Sequence, residues 1–454
     1  MNHQESRTAL SLAGIYSLRM LGLFLILPVF ALYAEHLQGV TPMLVGLAIG
    51  AYGLTQALLQ IPFGMLSDRI GRKPVILGGL LLFAIGSVVA ATSDSIWGVI
   101  LGRALQGSGA IAAAIMALAA DLSREEQRTK VMAVIGMSIG LAFIMALILG
   151  PLLNGLIGVP GIFWLTALLA ILGMGIVLFF VPTPESRNIH CDSEAVPAQF
   201  GRVLSNINLL RLDLGIFMLH LIITSVFLAV PLALRDNVGM ESDSHWMVYL
   251  PVLLISIIAM VPFIVVAEKR NKMKSVFLGA VLALAFALSG LYFWHTSFAR
   301  LMVSLALFFT AFNLLESILP SIVSKVAPLT SKGTALGVYS TSQFAGAFVG
   351  GVTGGWIHGE FGLAGVFLFG ASAALLWLLV ASGMERPANL VNHMLKVGER
   401  EEASGWTLQQ ELAKIAGVVE VEVVAAEGIA YLKVDKTLVD FTQLDSFSKG
   451  NDNE

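Results

Sequence analysis

Residues 64–73 read GMLSDRIGRK and join two apolar runs, 43–67 and 74–92. The cations Arg69, Arg72 and Lys73 are what a loop on the cytoplasmic side of a membrane requires. That requirement does not explain Asp68, nor the glycines at the two ends of the turn, Gly64 and Gly71. Glycine permits close helix approach and a tight turn. We therefore interpret the segment as a gate or switch between two helices, in preference to a loop that only sets topology.

The composition indicates an integral membrane protein. Hydrophobic residues make up 57% of the 454 and charged residues only 13%, against about 25% charged in a soluble domain. This excludes a disordered chain, a nucleic-acid-binding protein and an ordinary soluble enzyme as an interpretation of the whole sequence. No nucleotide-binding motif or nucleophile–base pair stands out. The single cysteine, Cys191, excludes an internal disulfide and a Cys-rich metal cluster, and no cofactor is predicted.

Apolar stretches of about 20 residues, the length that spans a bilayer, recur along the chain. Twelve are predicted, at 11–34, 43–67, 74–92, 96–120, 130–155, 161–182, 212–234, 246–267, 275–295, 299–323, 333–357 and 361–383. With a cytoplasmic N-terminus, nearly all loop Lys and Arg fall on the inside, and only Arg235 and Arg300 lie outside. The positive-inside rule thus predicts that both termini are cytoplasmic.

The two halves of the chain repeat at an offset of 200 residues. Ile61-Pro62-Phe63 matches Val261-Pro262-Phe263, and the same offset pairs Gly150 with Gly350 and Gly155 with Gly355. Parallel repeats of this kind enclose a cavity with its site near the membrane midplane. We therefore predict two six-helix bundles, 1–182 and 211–384, joined by a linker at 183–210.

The last residues, 385–454, are polar and acidic, with 7 Lys and Arg against 13 Asp and Glu. Strand-like residues 391–399 precede a helical pattern at 407–416, which Gly417 ends. A hairpin at 418–434 and a weaker helix at 441–447 follow. The order β-α-β-β-α predicts a small α+β ferredoxin-like domain on the cytoplasmic side. Without a further cysteine, metal sensing by this domain is disfavoured.

The motif at 64–73 resembles motif A of the major facilitator superfamily, G-x-L-x-D-R-x-G-R-K. Other family motifs follow in order: residues 103–110 resemble motif B and residues 21–29 motif D. Gly150, Pro151 and Gly155 resemble motif C, the antiporter signature, although Asn154 replaces a glycine of that pattern. The tail resembles the ferredoxin-like domain that follows the same twelve-helix body in one group of bacterial proton-coupled efflux transporters.

The resemblance implies a charge network at the cytoplasmic end, formed by Asp68, Arg72 and Asp121. It also implies that Asp68 meets the start of helix eleven near Gly333 and stabilises the outward-open state. In the family, the arginine corresponding to Arg103 is associated with proton coupling. The alternative is a structural arginine bonded to carbonyls of helix one.

Several polar residues lie within apolar spans, where a polar side chain raises the free energy unless it faces a cavity or a partner. Glu316 is the leading proton-acceptor candidate, with structural pairing as its alternative. Asp213 is interpreted as a helix-start acid and His220 as a packed histidine. The proton and substrate path is assigned to Arg19, Tyr52, Gln56, Arg103, Asn313, Glu316 and Gln343.

The sequence therefore predicts a monomeric, proton-coupled exporter of small amphipathic molecules in a bacterial inner membrane, working by alternating access. Its expected partners are a small-molecule substrate, protons and membrane lipid. Two alternatives stay open. One is a nutrient symporter or facilitator, and the other is a transporter-like sensor that acts through residues 385–454.

Overall fold

The structure, a computed structural model, describes residues 3–183, 199–270, 272–385, 390–398, 402–424, 428–435 and 438–448. Helices fill the first part of the chain. Their bounds are α1 His3–Phe24, α2 Phe30–Ala34, α3 Pro42–Ile70, α4 Arg72–Ala91, α5 Ile96–Ser108, α6 Ala112–Asp121 and α7 Glu125–Phe179.

A second helical part follows. It comprises α8 Phe200–Leu204, α9 Ile207–Asp236, α10 Trp246–Lys269, α11 Met273–Trp294, α12 Phe298–Val326 and α13 Lys332–Ser382. The short helix α8 and the start of α9 fall inside 183–210, the stretch predicted as a linker, of which residues 184–198 lie outside the described residues.

The helices depart from the predicted spans in two ways. The first predicted span breaks after Phe24, just before Pro28, and the fourth breaks between Ser108 and Ala112. Conversely, α7 and α13 each contain two predicted spans, divided by one left-handed glycine: Gly158 (φ 66°) and Gly362 (φ 68°). Glycine adopts this backbone without a Cβ clash. Within the described residues, nine helices are long and apolar enough to cross a membrane.

Helices α9 and α13 run side by side in the same direction. A methyl group added at Gly346 would lie 2.2 Å from the Phe217 carbonyl oxygen, and one at Gly350 would lie 2.2 Å from that of Leu221. In the first half, Gly150 of α7 approaches Leu25 and Pro28 just beyond α1 in the same manner. The matched glycines of the repeat therefore perform the same task, the close packing of helices.

The two halves meet along α3 and α13, which run in opposite directions. Gly46 contacts the backbone of Gly351, and Gly355 contacts Pro42. We call the end of the bundle that carries residues 64–73 the motif end, and the end that carries Pro42 the opposite end. These glycine contacts close the opposite end between α3 and α13, because no side chain separates the two backbones.

The tail folds as a three-stranded sheet with two helices. Its elements are β1 Leu390–Lys396, α14 Glu402–Leu412, β2 Val418–Val424, β3 Ile429–Asp435 and α15 Phe441–Asp445. The order across the sheet is β1-β3-β2, with β3 antiparallel to both neighbours. Inserting β3 between β1 and β2 makes a split β-α-β unit of three strands. Helix α14 begins five residues earlier than the predicted helix and ends at Leu412.

Candidate functional site

Arg72 is the centre of the charge cluster at the motif end. Its side chain is only 3% exposed, and its Nε lies 3.2 Å from Oδ2 of Asp121, whose side chain is fully buried. Its Nη1 pairs with Asp68 and donates to the Ser67 hydroxyl at 2.9 Å. One guanidinium thus joins α3, α4 and α6 by contacting both Asp68 and Asp121.

The glycines of this segment have separate structural tasks. Gly71, between α3 and α4, has φ 109°, which an L side chain rarely adopts. A methyl group at Gly64 would lie 3.0 Å from Cβ of Ala113. Ser67 was not predicted as part of the cluster. Arg69, in contrast, is exposed. Unlike Arg72, it therefore fits the role of a loop cation that sets the orientation in the membrane.

The contact expected between Asp68 and residues near Gly333 stays a prediction. On this side of the molecule, α3 and α13 are joined by Gln60, whose Nε2 donates to the Gly337 carbonyl at 3.4 Å. Gln60 is one step in a polar row, because Gln56 donates to its side chain at 3.5 Å. The row leads from the seam between the halves to Arg19.

Arg19 is completely buried. Its Nη2 donates to Gln56 Oε1 at 2.7 Å and to the carbonyl of Gly109 at 2.9 Å. That carbonyl belongs to the break between α5 and α6, where it also accepts from the Ile111 N–H at 2.9 Å, so the arginine is its second donor. The guanidinium also lies over the Tyr52 ring, at 5.6 Å from its centroid. Arg19, Tyr52 and Gln56 therefore lie together in one buried cluster.

Arg103 is only 2% exposed and is held by the protein itself. Its Nη1 donates to Gln106 at 2.9 Å, while Nε and Nη2 point to the carbonyls of Ala48 and Ile49 at 3.4 and 3.5 Å. These carbonyls belong to α3, whereas the structural alternative for Arg103 placed them on helix one. The bonds favour the structural interpretation of Arg103, although its guanidinium also lies 5.3 Å from the Tyr52 ring.

A second polar cluster lies in the other half. Gln343 Nε2 lies 3.3 Å from Glu316 Oε1 and 2.8 Å from His220 Nε2. The other carboxylate oxygen of Glu316 is buried without a hydrogen-bond partner. Asn313, predicted as part of the same path, donates instead to Ser256 of α10 at 3.0 Å. The sequence predicts a packed histidine at position 220, and only the structure shows the link of His220 to Gln343.

The two polar clusters lie on either side of one seam. Phe344, next to Gln343 in sequence, makes an edge-to-face contact with Tyr52, with ring centroids 6.1 Å apart. Gly53 is also in contact with the backbone of Phe344. A buried arginine of one half and a buried carboxyl of the other therefore border the same interface between the halves.

At the opposite end, further contacts join the halves. Asn154 donates to Ser242 at 3.2 Å, and a methyl group at Gly155 would lie 2.8 Å from the Asp243 Cβ. Arg235 pairs with Glu35 at 2.5 Å, a bond across the halves that was not predicted. Asn154, which replaces a glycine within the motif of Gly150, Pro151 and Gly155, thus donates a hydrogen bond from one half to the other.

The tail sheet is docked on the motif end. Lys433 of β3 is 4% exposed and donates its Nζ proton to the carbonyl of Ala327, just after α12. Glu420 of β2 lies 3.8 Å from both Lys433 and Arg202. Burial lowers the pKa of Lys433 below its ordinary value, and the Glu420 charge opposes that shift. The anchor of the docked tail is therefore a lysine, in a domain whose net charge is acidic.

Comparison with known proteins identifies the family. The profile of the Major Facilitator Superfamily matches residues 12–209 and 212–412. The inner membrane transport protein YajR of Escherichia coli is 48% identical over 435 residues, 96% of this chain and 95% of that protein. The multidrug resistance protein MdtH of Aeromonas salmonicida is 28% identical over 349 residues, 75% of this chain and 84% of that protein.

Among solved structures, a bacterial homolog of the human lysosomal transporter Spinster, inward-facing and occupied, has the same fold. Its TM-score is 0.70 at 15% sequence identity, and the match covers 84% of this chain and 96% of that one. The motifs at 64–73 and 150–155, the paired helices and these matches lead to one conclusion. The chain belongs to the major facilitator superfamily of transporters.

Proposed function

We propose that the protein is a proton-coupled antiporter that exports small amphipathic molecules by alternating access. The observation that supports this most is the buried carboxyl of Glu316 at the seam between the halves, with one oxygen lacking a partner. A carboxyl within an apolar span marks a functional site by default, because a charge there is costly unless it is paired. It is therefore suited to take up and give back a proton within each cycle.

The membrane arrangement forms part of the proposal. The nine apolar helices count α5 with α6 as one. Eleven spans result if α7 and α13 each cross the bilayer twice, and α1 with α2 supplies the twelfth. The bundles 1–182 and 211–384 then rock about the seam, with 183–210 as linker and 385–454 as a cytoplasmic domain. We place the protein as a monomer in the inner membrane of a bacterium, with the motif end and both termini in the cytoplasm.

Proton entry can supply the required work. Moving one charge through 100 mV releases about 2.3 kcal/mol, which corresponds to roughly a 50-fold gradient of substrate. Antiport needs a carboxyl that holds a proton when the substrate site is empty and gives the proton up when substrate is bound. Proton and substrate then never occupy the transporter at the same time. The apolar seam with few polar groups suits an amphipathic substrate better than a sugar, which needs many convergent hydrogen bonds.

The test uses inverted membrane vesicles that contain the full-length protein. Respiration acidifies their interior, and ethidium serves as the amphipathic probe. We expect ethidium uptake that collapses when the pH gradient is dissipated, together with release of protons from the vesicles. Glu316→Gln abolishes both signals, whereas Asn208→Ala at an exposed contact with Glu385 leaves them unchanged. Ethidium moving in the same direction as protons would show symport and contradict the proposal.

The sensor alternative has a specific observation in its favour, the docking of the tail through Lys433 and Glu420. Residues near Ala327 and Ser331 connect α12 to α13, and the tail touches this connection. A docked domain at such a point can bias the movement of α13 without carrying substrate. Deleting residues 385–454 tests it: normal transport and unchanged conformational balance would exclude a regulatory role for the tail.

A further inference from the structure

The loop between α9 and α10, residues 237–245, joins the two halves at the opposite end. Its Ser242 hydroxyl accepts a hydrogen bond from Asn154 of α7 at 3.2 Å. A methyl group at Gly155 would lie 2.8 Å from Cβ of Asp243, so the loop rests directly on α7. Because these contacts cross from one half to the other, they must separate before this end can open.

His245 holds the loop in its shape. Its Nε2 lies 3.2 Å from the carbonyl oxygen of Met240, so the ring closes the segment that carries the two contact residues. The His245 carbonyl accepts from the backbone N–H of Tyr249 at 3.1 Å, in the first turn of α10. One residue thus ties the part of the loop that touches α7 to the start of a long helix.

The seated loop accommodates the His245 ring in its neutral form. The residue is completely buried. Since a carbonyl only accepts, Nε2 carries the hydrogen that meets Met240, and Nδ1 is a bare acceptor. Nδ1 is buried and has no hydrogen-bond partner among the described residues. A proton added there would create a buried positive charge and a donor that nothing receives, which strongly raises the free energy.

The charges around His245 do not remove that penalty. Asp243, two residues earlier, attracts a cation, but within the described part of the chain no hydrogen bond joins its carboxylate to the ring. Arg235 of α9 repels a cation. On α7, residues 146–165 contain no titratable side chain. The loop and the adjoining ends of α9 and α10 contribute Arg235, Asp236, Glu241, Asp243 and Tyr249. A charged ring is therefore accommodated only if the loop changes shape.

We propose that His245 is a proton-sensing site that controls the opening of the opposite end. A proton from water at this end binds to Nδ1 and forms a new N–H bond, and no other covalent bond changes. The charged ring then leaves its buried position, and Ser242 and Asp243 part from α7. When the loop closes again, the proton returns to water.

This inference rests on the proposed function, which places the opposite end outside the cell. Acid outside then opens the gate on the side from which protons enter. Glu316 stays the group that carries the proton through the bundle, so His245 adds a second proton site with a different task. The gate and the carrier would thus respond to the same gradient.

The sign and size of the effect follow from the state that binds the proton. In the open state water reaches the ring, which titrates as an ordinary histidine at about pH 6.5. The closed state requires the neutral ring, and a ligand shifts an equilibrium only through its different affinity for the two states. The contribution of His245 to closure is therefore present above about pH 6.5 and is lost below it. Between about pH 7.5 and about pH 5.5, the ratio of open to closed molecules should rise by at most about tenfold.

The test measures the distance between the loop and α7. Spin labels are attached at Glu241 and Leu156, which are both exposed, in the full-length protein with Cys191→Ser in lipid nanodiscs. Double electron–electron resonance then gives the ratio of long to short distances. We expect this ratio to rise several-fold, and at most about tenfold, when the pH falls from about 7.5 to about 5.5.

Three variants separate His245 from other groups. His245→Gln keeps a donor for the Met240 carbonyl but cannot be charged, so it should abolish the response to pH. His36→Gln is the matched control, since His36 is an exposed histidine at the same end, and should leave the response intact. Asp243→Asn leaves His245 in place but removes an anion that favours the charged ring, so it should move the midpoint to lower pH.

Two results would overturn the proposal: distances that do not change with pH while His245 is present, or an unchanged response in His245→Gln. The distance measurement needs neither substrate nor a membrane potential. Ethidium transport in vesicles decides separately whether the protein is a proton antiporter. Failure of antiport would leave the response of the loop in place, so the two failures give different results.

Discussion

At the scale of single residues, one guanidinium holds the motif end together. Arg72 pairs with Asp68 and Asp121 from a position that is almost completely buried. Removing one partner of a buried ion pair leaves the other charge uncompensated and costs about 3 to 5 kcal/mol. Residue identity matters here because a lysine would offer a point charge in place of the planar fork of donors.

Arg72→Ala should therefore lower the thermal stability of the purified protein by an amount equivalent to about 3 kcal/mol or more. Thermal unfolding in detergent, followed by intrinsic fluorescence, measures the shift. Arg69→Ala is the matched control, since Arg69 is an exposed arginine of the same motif, and should change stability little. Equal shifts in the two variants would show that the motif acts only through its total charge.

At the same scale, Lys433 anchors the tail to the connection between α12 and α13. Lys433→Ala removes the donor to the Ala327 carbonyl and one partner of Glu420. Backbone amides of the docked surface, near residues 327–331 and 418–424, should then exchange with deuterium faster. Lys414→Ala, at an exposed lysine of the tail, should have no such effect. Unchanged exchange in Lys433→Ala would contradict the anchoring role.

At the scale of elements, glycines set how closely α3 and α13 approach. A methyl group at Gly46 would come within 2.0 Å of the Gly351 carbonyl oxygen. Backbone does not yield as a flexible side chain does, so the two helices must separate. The same substitution in α7 at Gly136 meets nothing within 4 Å and serves as the control.

Gly46→Ala should thus open the opposite end of the bundle. Paired spin labels on α3 and α13 near that end would report a longer mean distance in Gly46→Ala than in the unmodified protein, and no change in Gly136→Ala. In vesicles, the same variant should slow ethidium transport, because a state that closes poorly completes fewer cycles. An unaltered distance distribution would show that the close approach is not what keeps this end closed.

At the scale of the whole molecule, the balance between open and closed ends is set by many small contacts. The bond between Arg235 and Glu35 joins the halves at the opposite end, but both side chains are more than a third exposed. Exposed ion pairs contribute about 0.2 to 1 kcal/mol. By that measure, the pair changes the ratio of the two states by at most about fivefold.

Arg235→Ala should therefore shift the population modestly toward the state open at that end. Reactivity of a cysteine introduced at Gly39, near the same end, with a membrane-impermeant maleimide measures the shift. Exchanging the charges in the double variant Glu35→Arg and Arg235→Glu should recover much of the original reactivity. Failure of the exchange to recover it would show that Arg235 acts mainly through Asp236, its other partner at 2.6 Å.

The sequence by itself determined the helical class, the repeated halves, the order of elements in the tail and the closeness of Asp68 to Arg72. These follow from local causes: the length of apolar runs, the periodicity of side chains, and a motif whose members are close in sequence. Asp68 and Arg72 share one turn, so their pairing needs no knowledge of the rest of the fold.

Only the tertiary structure decided which distant residues meet. His220 and Gln343 are 123 residues apart, and nothing in either neighbourhood indicates the other. The acceptors of Arg103 in α3 and the bond from Arg235 to Glu35 depend on which helices pack together and in what register. A sequence pattern shows which face of a helix is small or polar, whereas the partner of that face is fixed only when all the helices are packed at once.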